Sequence, residues 1–169
     1  MHDASVTAAA DRARQGSAAE LAAALIDSRR NTLATFATYR RALPGLQVPY
    51  RADLNPPLWE LGHIGWFQEY WLSRYPCRGD GAAADPDAPR ARPLRPDADA
   101  LYNSSLVPHD TRWSLPLPDW RAIDRYLDET LGDAQDALAA SRDGERYFFE
   151  LALYHEDMHG EALLMTLQT

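Results

Sequence analysis

Cysteine is almost absent from this chain. Cys77 is the single one, so no intrachain disulfide can form. It follows Tyr75-Pro76 at the edge of a polar segment, and nothing local guarantees the cationic, structured setting that activates a thiol. Positive charge is also scarce. The 17 basic residues are outnumbered by 25 acidic ones, for a net charge of −8. With no basic stripe, nucleic acid and anionic membrane surfaces are poor partners. Long apolar runs are missing, so no segment reads as a membrane span. The first sixteen residues, MHDASVTAAADRARQG, hold no apolar stretch ahead of a cleavage site and do not read as a signal peptide. A cytoplasmic location is the expectation. No internal repeat and no β-rich stretch is visible.

What remains is a globular composition, 46% hydrophobic, in a chain long enough for one domain with its own core. Residues 1–16 read as a flexible tail and residues 17–169 as the domain. From Ser17 to about Leu43 the spacing is helical. Leu21, Leu25, Ile26, Leu33, Phe36 and Tyr39 can share one face. Ser17 with Glu20 matches a capping box, and Pro44-Gly45 stops the helix. A second helix starts at Asn55-Pro56-Pro57, with Asn55 as the N-cap, and runs to Pro76. Residues 77–96 are rich in Pro and Gly and read as a surface loop. A short helical segment falls around Ala98–Asn103. The third long helix opens at PLPDW (116–120) and runs to about Ala140. Asp143-Gly144 caps a fourth, expected from about Glu145 to the end of the sequence. The expected class is all-α: a four-helix bundle with a long crossover between the second and third helices, the kind of fold that builds metal sites from inward-facing side chains.

The stretch YHEDMHGE (154–161) carries the chemistry. His155 and His159 are one helical turn apart, about 40° around the axis, so both imidazoles leave the same face. Phe148, Leu151, Ala152, Ala162, Leu163 and Thr166 fall on that side, while Glu150, Asp157 and Glu161 point away. Two unpaired imidazoles are costly to bury, and a bound cation satisfies both. The string also matches H-E-x-x-H, in which Glu156 would be the general base of a zinc protease. HGEALLM replaces the usual extension, and the remaining chain leaves little room for a downstream ligand.

A third histidine, His63, lies in the second helix within LWELGHIGWFQEYW, flanked by Trp59, Trp66, Phe67 and Tyr70 on neighbouring directions. His63, His155 and His159 are therefore the candidate metal ligands. Zn, Fe, Ni and Cu all accept imidazole, and ligand type does not separate them. Glu60, one turn before His63, is placed either to orient an imidazole or to face solvent. Glu156 and Glu161 diverge from both histidines and read as surface charge or outer groups.

PPLWELGHIGWFQEYWLSRY (56–75) and YHEDMHGEALLMTLQ (154–168) together resemble the N-terminal DinB-like domain of the iron(II)-dependent ergothioneine sulfoxide synthases. NPPLWELGH is similar in particular to the selenoneine synthase branch. The resemblance covers roughly residues 20–169. It implies Fe(II) held by His63, His155 and His159, and a reaction that uses O2 to join a sulfur or selenium donor to C2 of the hercynine imidazole. It also places LYNSSLVPHDTRWSLPLPD (101–119) at a substrate-contacting loop, with Arg112 near an arginine that meets the donor carboxylate, and His109 as a further loop histidine.

Two departures stand out. Asp157-Met158 replaces the Gln that commonly precedes the last ligand in sulfoxide synthases, which makes Met158 a candidate substrate contact in a branch with different substrates. The sequence also stops at Thr169, where the family continues into a C-terminal formylglycine-generating-enzyme-like domain. The expectation is a domain that packs against that partner within one protein and that alone can bind metal without turnover. Two rivals share the helices: a DinB-type thiol transferase using Zn or Ni, and a non-catalytic helical binding module.

Overall fold

The computed structural model describes residue 11, residues 16–142 and residues 144–168. The expected tail, with His2, lies outside the described residues except for residues 11 and 16, and so does Asp143; the last long helix has Arg146 as its N-cap, with no side-chain cap, in place of the expected Asp143-Gly144. All regular structure among the described residues is helical, as expected for an all-α chain. Four long helices dominate: α1 (Ala18–Ala42), α2 (Pro57–Gln68), α4 (Trp120–Ala139) and α5 (Tyr147–Leu167). A short helix, α3 (Ala98–Tyr102), sits in the segment joining α2 to α4, together with two 3-10 turns, Arg78–Ala83 and His109–Trp113. Each long helix packs on two others: α1 on α4 and α5, and α2 on α4 and α5.

Local signals account for most boundaries. Ser17 caps α1 by accepting from the Glu20 amide, and the Glu20 carboxylate accepts from the Ser17 amide, completing the capping box. Asp119 caps α4 by accepting from the Ala122 amide. The start of α2 differs from expectation. Its N-cap is Pro56, which makes no side-chain cap, and Asn55 spends its amide on Glu60 and Arg112 instead. At its far end α2 widens into a π-helical turn over Glu69–Ser73, closed by an Arg74 amide to Glu69 carbonyl bond. The buried Glu69 carboxylate accepts from the Tyr126 hydroxyl at 2.5 Å and the Leu94 amide at 2.6 Å. It thereby ties the 77–96 segment and α4 to α2.

The core divides along the helices. Leu21, Leu25, Leu72, Leu138 and Phe149 fill one end, and Phe36, Tyr39, Leu61, Ile64, Leu127 and Leu163 the other. Trp59, Trp66, Leu101, Tyr102 and Tyr126 pack under α3. Ile26, assigned to the inner face of α1 by its spacing, is 39% exposed. The inner stripe of α1 instead follows Leu21, Leu25, Ser28, Arg29, Thr32, Phe36 and Tyr39, so two polar turns interrupt the apolar ones.

Those polar turns face a buried ion pair. Arg29 donates from Nε to Glu156 at 2.7 Å, and from its terminal nitrogens to the Leu127 carbonyl and the Gln68 side chain. Both charged groups are almost wholly buried, at 3% and 1% exposure. Glu156 is therefore neither a surface charge nor free to act as a general base, and the protease reading of H-E-x-x-H loses its catalytic group. The buried stripe of α5 includes Phe149, Leu153 and Glu156 as well as His159. Its centre lies to the Glu156 side of His155, so a face drawn around His155 misplaced this carboxylate.

Candidate metal centre

The site forms where α2 and α5 face each other. His63 projects from the middle of α2, and His155 and His159 from consecutive turns of α5. One ligand nitrogen from each lies within 4.8 Å of the other two. Nε2 of His63 stands 3.2 Å from Nε2 of His155. Two imidazole nitrogens bound to one ion at about 2.0–2.1 Å are separated by roughly 3.0–3.4 Å, so this pair is already spaced for shared coordination. His63 and His159 are buried, and His155 is half-buried.

Each ring is aimed by a different partner. The Nδ1–H of His63 donates to the Tyr102 carbonyl at 2.7 Å, which leaves its Nε2 lone pair facing the other two rings. The Nδ1 of His159 meets the buried Glu60 carboxylate, again leaving Nε2 inward. This carboxylate–histidine pairing fixes the ring and raises its basicity as a ligand. His155 is held by stacking: its ring lies on Phe67, centroids 3.5 Å apart and planes 8° apart. His63 is itself stacked between Trp59 and Trp66, at 4.7 and 5.5 Å.

Burial keeps two of the imidazoles, His63 and His155, neutral. It lowers His63 to about 3, with the nearby His159 adding to the effect. Burial likewise lowers His155 to about 2, reinforced by His159 and then His63. Neutral rings are the form that coordinates a metal. Three imidazoles in one apolar setting, two of them fixed through Nδ1, suit a divalent transition metal.

A cavity of about 580 Å3 opens beside the three rings. Trp66, Phe67, Tyr70 and Trp71 form an aromatic wall, and Asn103, Ser104, Ser105 and Arg112 a polar one. Both substrate-contact candidates reach it: Arg112 lines the cavity from its loop, and Met158, on α5, stands at its rim with 54% exposure. His109 does not line it. Its Nε2 bonds the Leu54 carbonyl at 2.7 Å and its ring packs on Tyr50 and Trp113, a role in holding the loop. Sequence reasoning missed the Tyr102 carbonyl and the Asn55 amide. A backbone acceptor carries no side-chain signal, and Asn55 had an adequate reading as a cap. The Trp-rich pattern around His63 did mark Phe67, although not its stacking on His155.

No family model matches the chain. It is similar to curated proteins named hercynine oxygenase from three species. The identity is 31% over 150 residues with that of Mycolicibacterium thermoresistibile, covering 88% of this chain and 31% of the relative. It is 32% over 119 residues with that of Mycobacterium tuberculosis, covering 70% of this chain and 26% of the relative. It is 34% over 125 residues with that of Mycolicibacterium smegmatis, covering 72% and 26%. The chain is thus a relative of the hercynine oxygenases over 88% of its own length, and spans less than a third of theirs.

Proposed function

We propose that this chain is the metal-binding domain of a non-haem Fe(II) enzyme. In this reading the enzyme uses O2 to form a C–Se or C–S bond at the imidazole C2 of hercynine, in selenoneine or ergothioneine biosynthesis. The observation that carries the reading is the convergence of His63, His155 and His159. The names of the relatives add hercynine as substrate and oxygenation as reaction class. The NPPLWELGH stretch favours the selenium branch, and the Asp157-Met158 departure a branch with different substrates. The helical arrangement fits a DinB-like four-helix bundle whose long crossover, between the second and third long helices, brings the 101–119 loop to the site. A C-terminal domain of the same protein would cover the cavity, and the location would be cytoplasmic. No helix among the described residues is long and apolar enough to cross a membrane.

His63, His155 and His159 would hold Fe(II), which would supply the one-electron chemistry that dioxygen requires. The chain does the rest. The neutral His63 and His155 rings present lone pairs without a proton to displace. Glu60 and the Tyr102 carbonyl hold two rings in the ligating orientation. The aromatic wall excludes water from one side of the cavity, and Arg112 offers a fixed cation to an anionic substrate group on the other. Met158 at the rim is the second candidate contact.

The test is turnover by the full-length protein loaded with Fe(II). With hercynine and a selenol or thiol donor it consumes O2 and yields hercynine carrying the chalcogen at C2, identified by mass spectrometry. Oxygen-independent transfer to a low-molecular-weight thiol, with Zn or Ni in place of iron, would instead establish the thiol transferase reading.

A further inference from the structure

Arg112 stands at the start of a hydrogen-bonded chain that ends on a histidine of the cluster. Its terminal nitrogen donates to the Asn55 side-chain oxygen at 2.7 Å. The Asn55 amide nitrogen donates to Oε1 of Glu60 at 2.8 Å. The other Glu60 oxygen meets Nδ1 of His159. The amide of Asn55 is thereby oriented at both ends, oxygen to the arginine and nitrogen to the carboxylate. Arg112 is itself fixed in direction. Its guanidinium lies 3.9 Å over the Trp59 ring, and a second nitrogen reaches the Val107 carbonyl at 3.4 Å. Trp59 in turn stacks on His63. The arginine comes from the 3-10 turn His109–Trp113, far in sequence from either ligand helix.

We propose that Arg112 is a positioning residue for the metal centre, acting on His159 through Asn55 and Glu60. This rests on the metal-centre reading given above and extends it. A carboxylate that orients a ligand histidine works only if its own rotamer is held, and outer partners of this kind control metal affinity. Glu60 is buried, and the amide from Asn55 holds the oxygen that His159 leaves unused. Because Arg112 also lines the cavity, whatever engages its guanidinium there is linked to metal affinity, and metal loading is linked to that engagement by the same factor.

The sign of one measurement separates positioning from charge. A guanidinium beside a divalent cation repels it, so removing the charge alone strengthens metal binding. Removing a positioning group weakens it. The experiment is titration of the protein with Co(II), followed by its visible d–d absorption, for wild type, Arg112→Met, Asn55→Ala and the double variant. Melting curves of the metal-free forms establish that each is folded, and Asn55→Ala carries the test if Arg112→Met is not. The expected result is a Kd raised roughly tenfold in each single variant, with a changed d–d band. The double variant should show little further loss, because both substitutions break one chain. A Kd in either single variant equal to or lower than that of wild type overturns the proposal, as do losses that multiply in full. A wild type that binds no Co(II) overturns the metal-centre reading itself, and the relay with it.

Discussion

Gly62→Ala probes the packing that aims His63. A methyl group at Gly62 would sit 2.1 Å from Cε1 and 2.2 Å from Cζ of Tyr102. Carbon atoms rest at about 3.5–4.0 Å, so the ring must retreat by roughly 1.5 Å. It has nowhere to go: Tyr102 is fully buried and packs among Trp59, Trp66, Leu101 and Tyr126. Overpacking of this kind costs about 1–3 kcal/mol, against a gain of up to about 1 kcal/mol from replacing a helical glycine by alanine. The clash is with a rigid ring, so the upper half of the range applies and the net loss is about 1–2 kcal/mol. In a domain of this size that lowers Tm by roughly 2–8 °C. Because the Tyr102 carbonyl holds Nδ1 of His63, the same retreat disturbs the metal centre, and Co(II) affinity falls with stability. Gly132 supplies the control. A methyl there meets nothing within 4 Å, so Gly132→Ala should gain about 0.5–1 kcal/mol from helix propensity alone. Urea titrations and thermal melts of the two variants measure both effects. If Gly62→Ala proves as stable as Gly132→Ala, the close approach of α2 to Tyr102 is wrong.

Arg29→Met strands the buried Glu156 charge and should cost about 3–5 kcal/mol, whereas Arg29→Met with Glu156→Leu recovers most of it; urea midpoints compare them, and equal losses would contradict a buried pair. The metal-free protein should lose stability as pH falls below about 6.5, because the unfolded chain protonates its histidines there while His63 and His155 stay neutral until about 3 and about 2. That loss should shrink in a His155→Gln variant, read as the difference in urea midpoint between pH 7 and pH 5; an unchanged difference would show that His155 is not buried as described. Ser17→Ala should cost about 1 kcal/mol by opening the capping box, and Glu20→Ala a similar or smaller amount, both read by thermal melts.

The long helices were legible because their signals are local. The Ser17–Glu20 pair, the Leu21/Leu25/Phe36/Tyr39 spacing and the PLPDW (116–120) opening of α4 each depend on residues within a few turns of one another. The histidine pair of α5 was legible for the same reason, since spacing by four fixes a shared face. Errors arose where a partner comes from elsewhere in the chain. Asn55 reads as a cap until Glu60 and Arg112 claim its amide, and a proline takes the cap position instead. Glu156 reads as surface until Arg29, on the opposite helix, supplies its counter-charge. Ile26 reads as core because the stripe of α1 was drawn through apolar residues only, while the packed face runs through Ser28, Arg29 and Thr32. Periodicity reports which way a side chain points, and it is silent on a buried polar group whose partner lies a hundred residues away.

The central claim is that three imidazoles from two helices hold one metal ion. Its most direct measurement is elemental analysis after anaerobic loading with Fe(II), on wild type and on His63→Ala, His155→Ala and His159→Ala. The account predicts one iron per chain in wild type and a loss of stoichiometric iron in each variant. Iron retained at wild-type level in all three would contradict it.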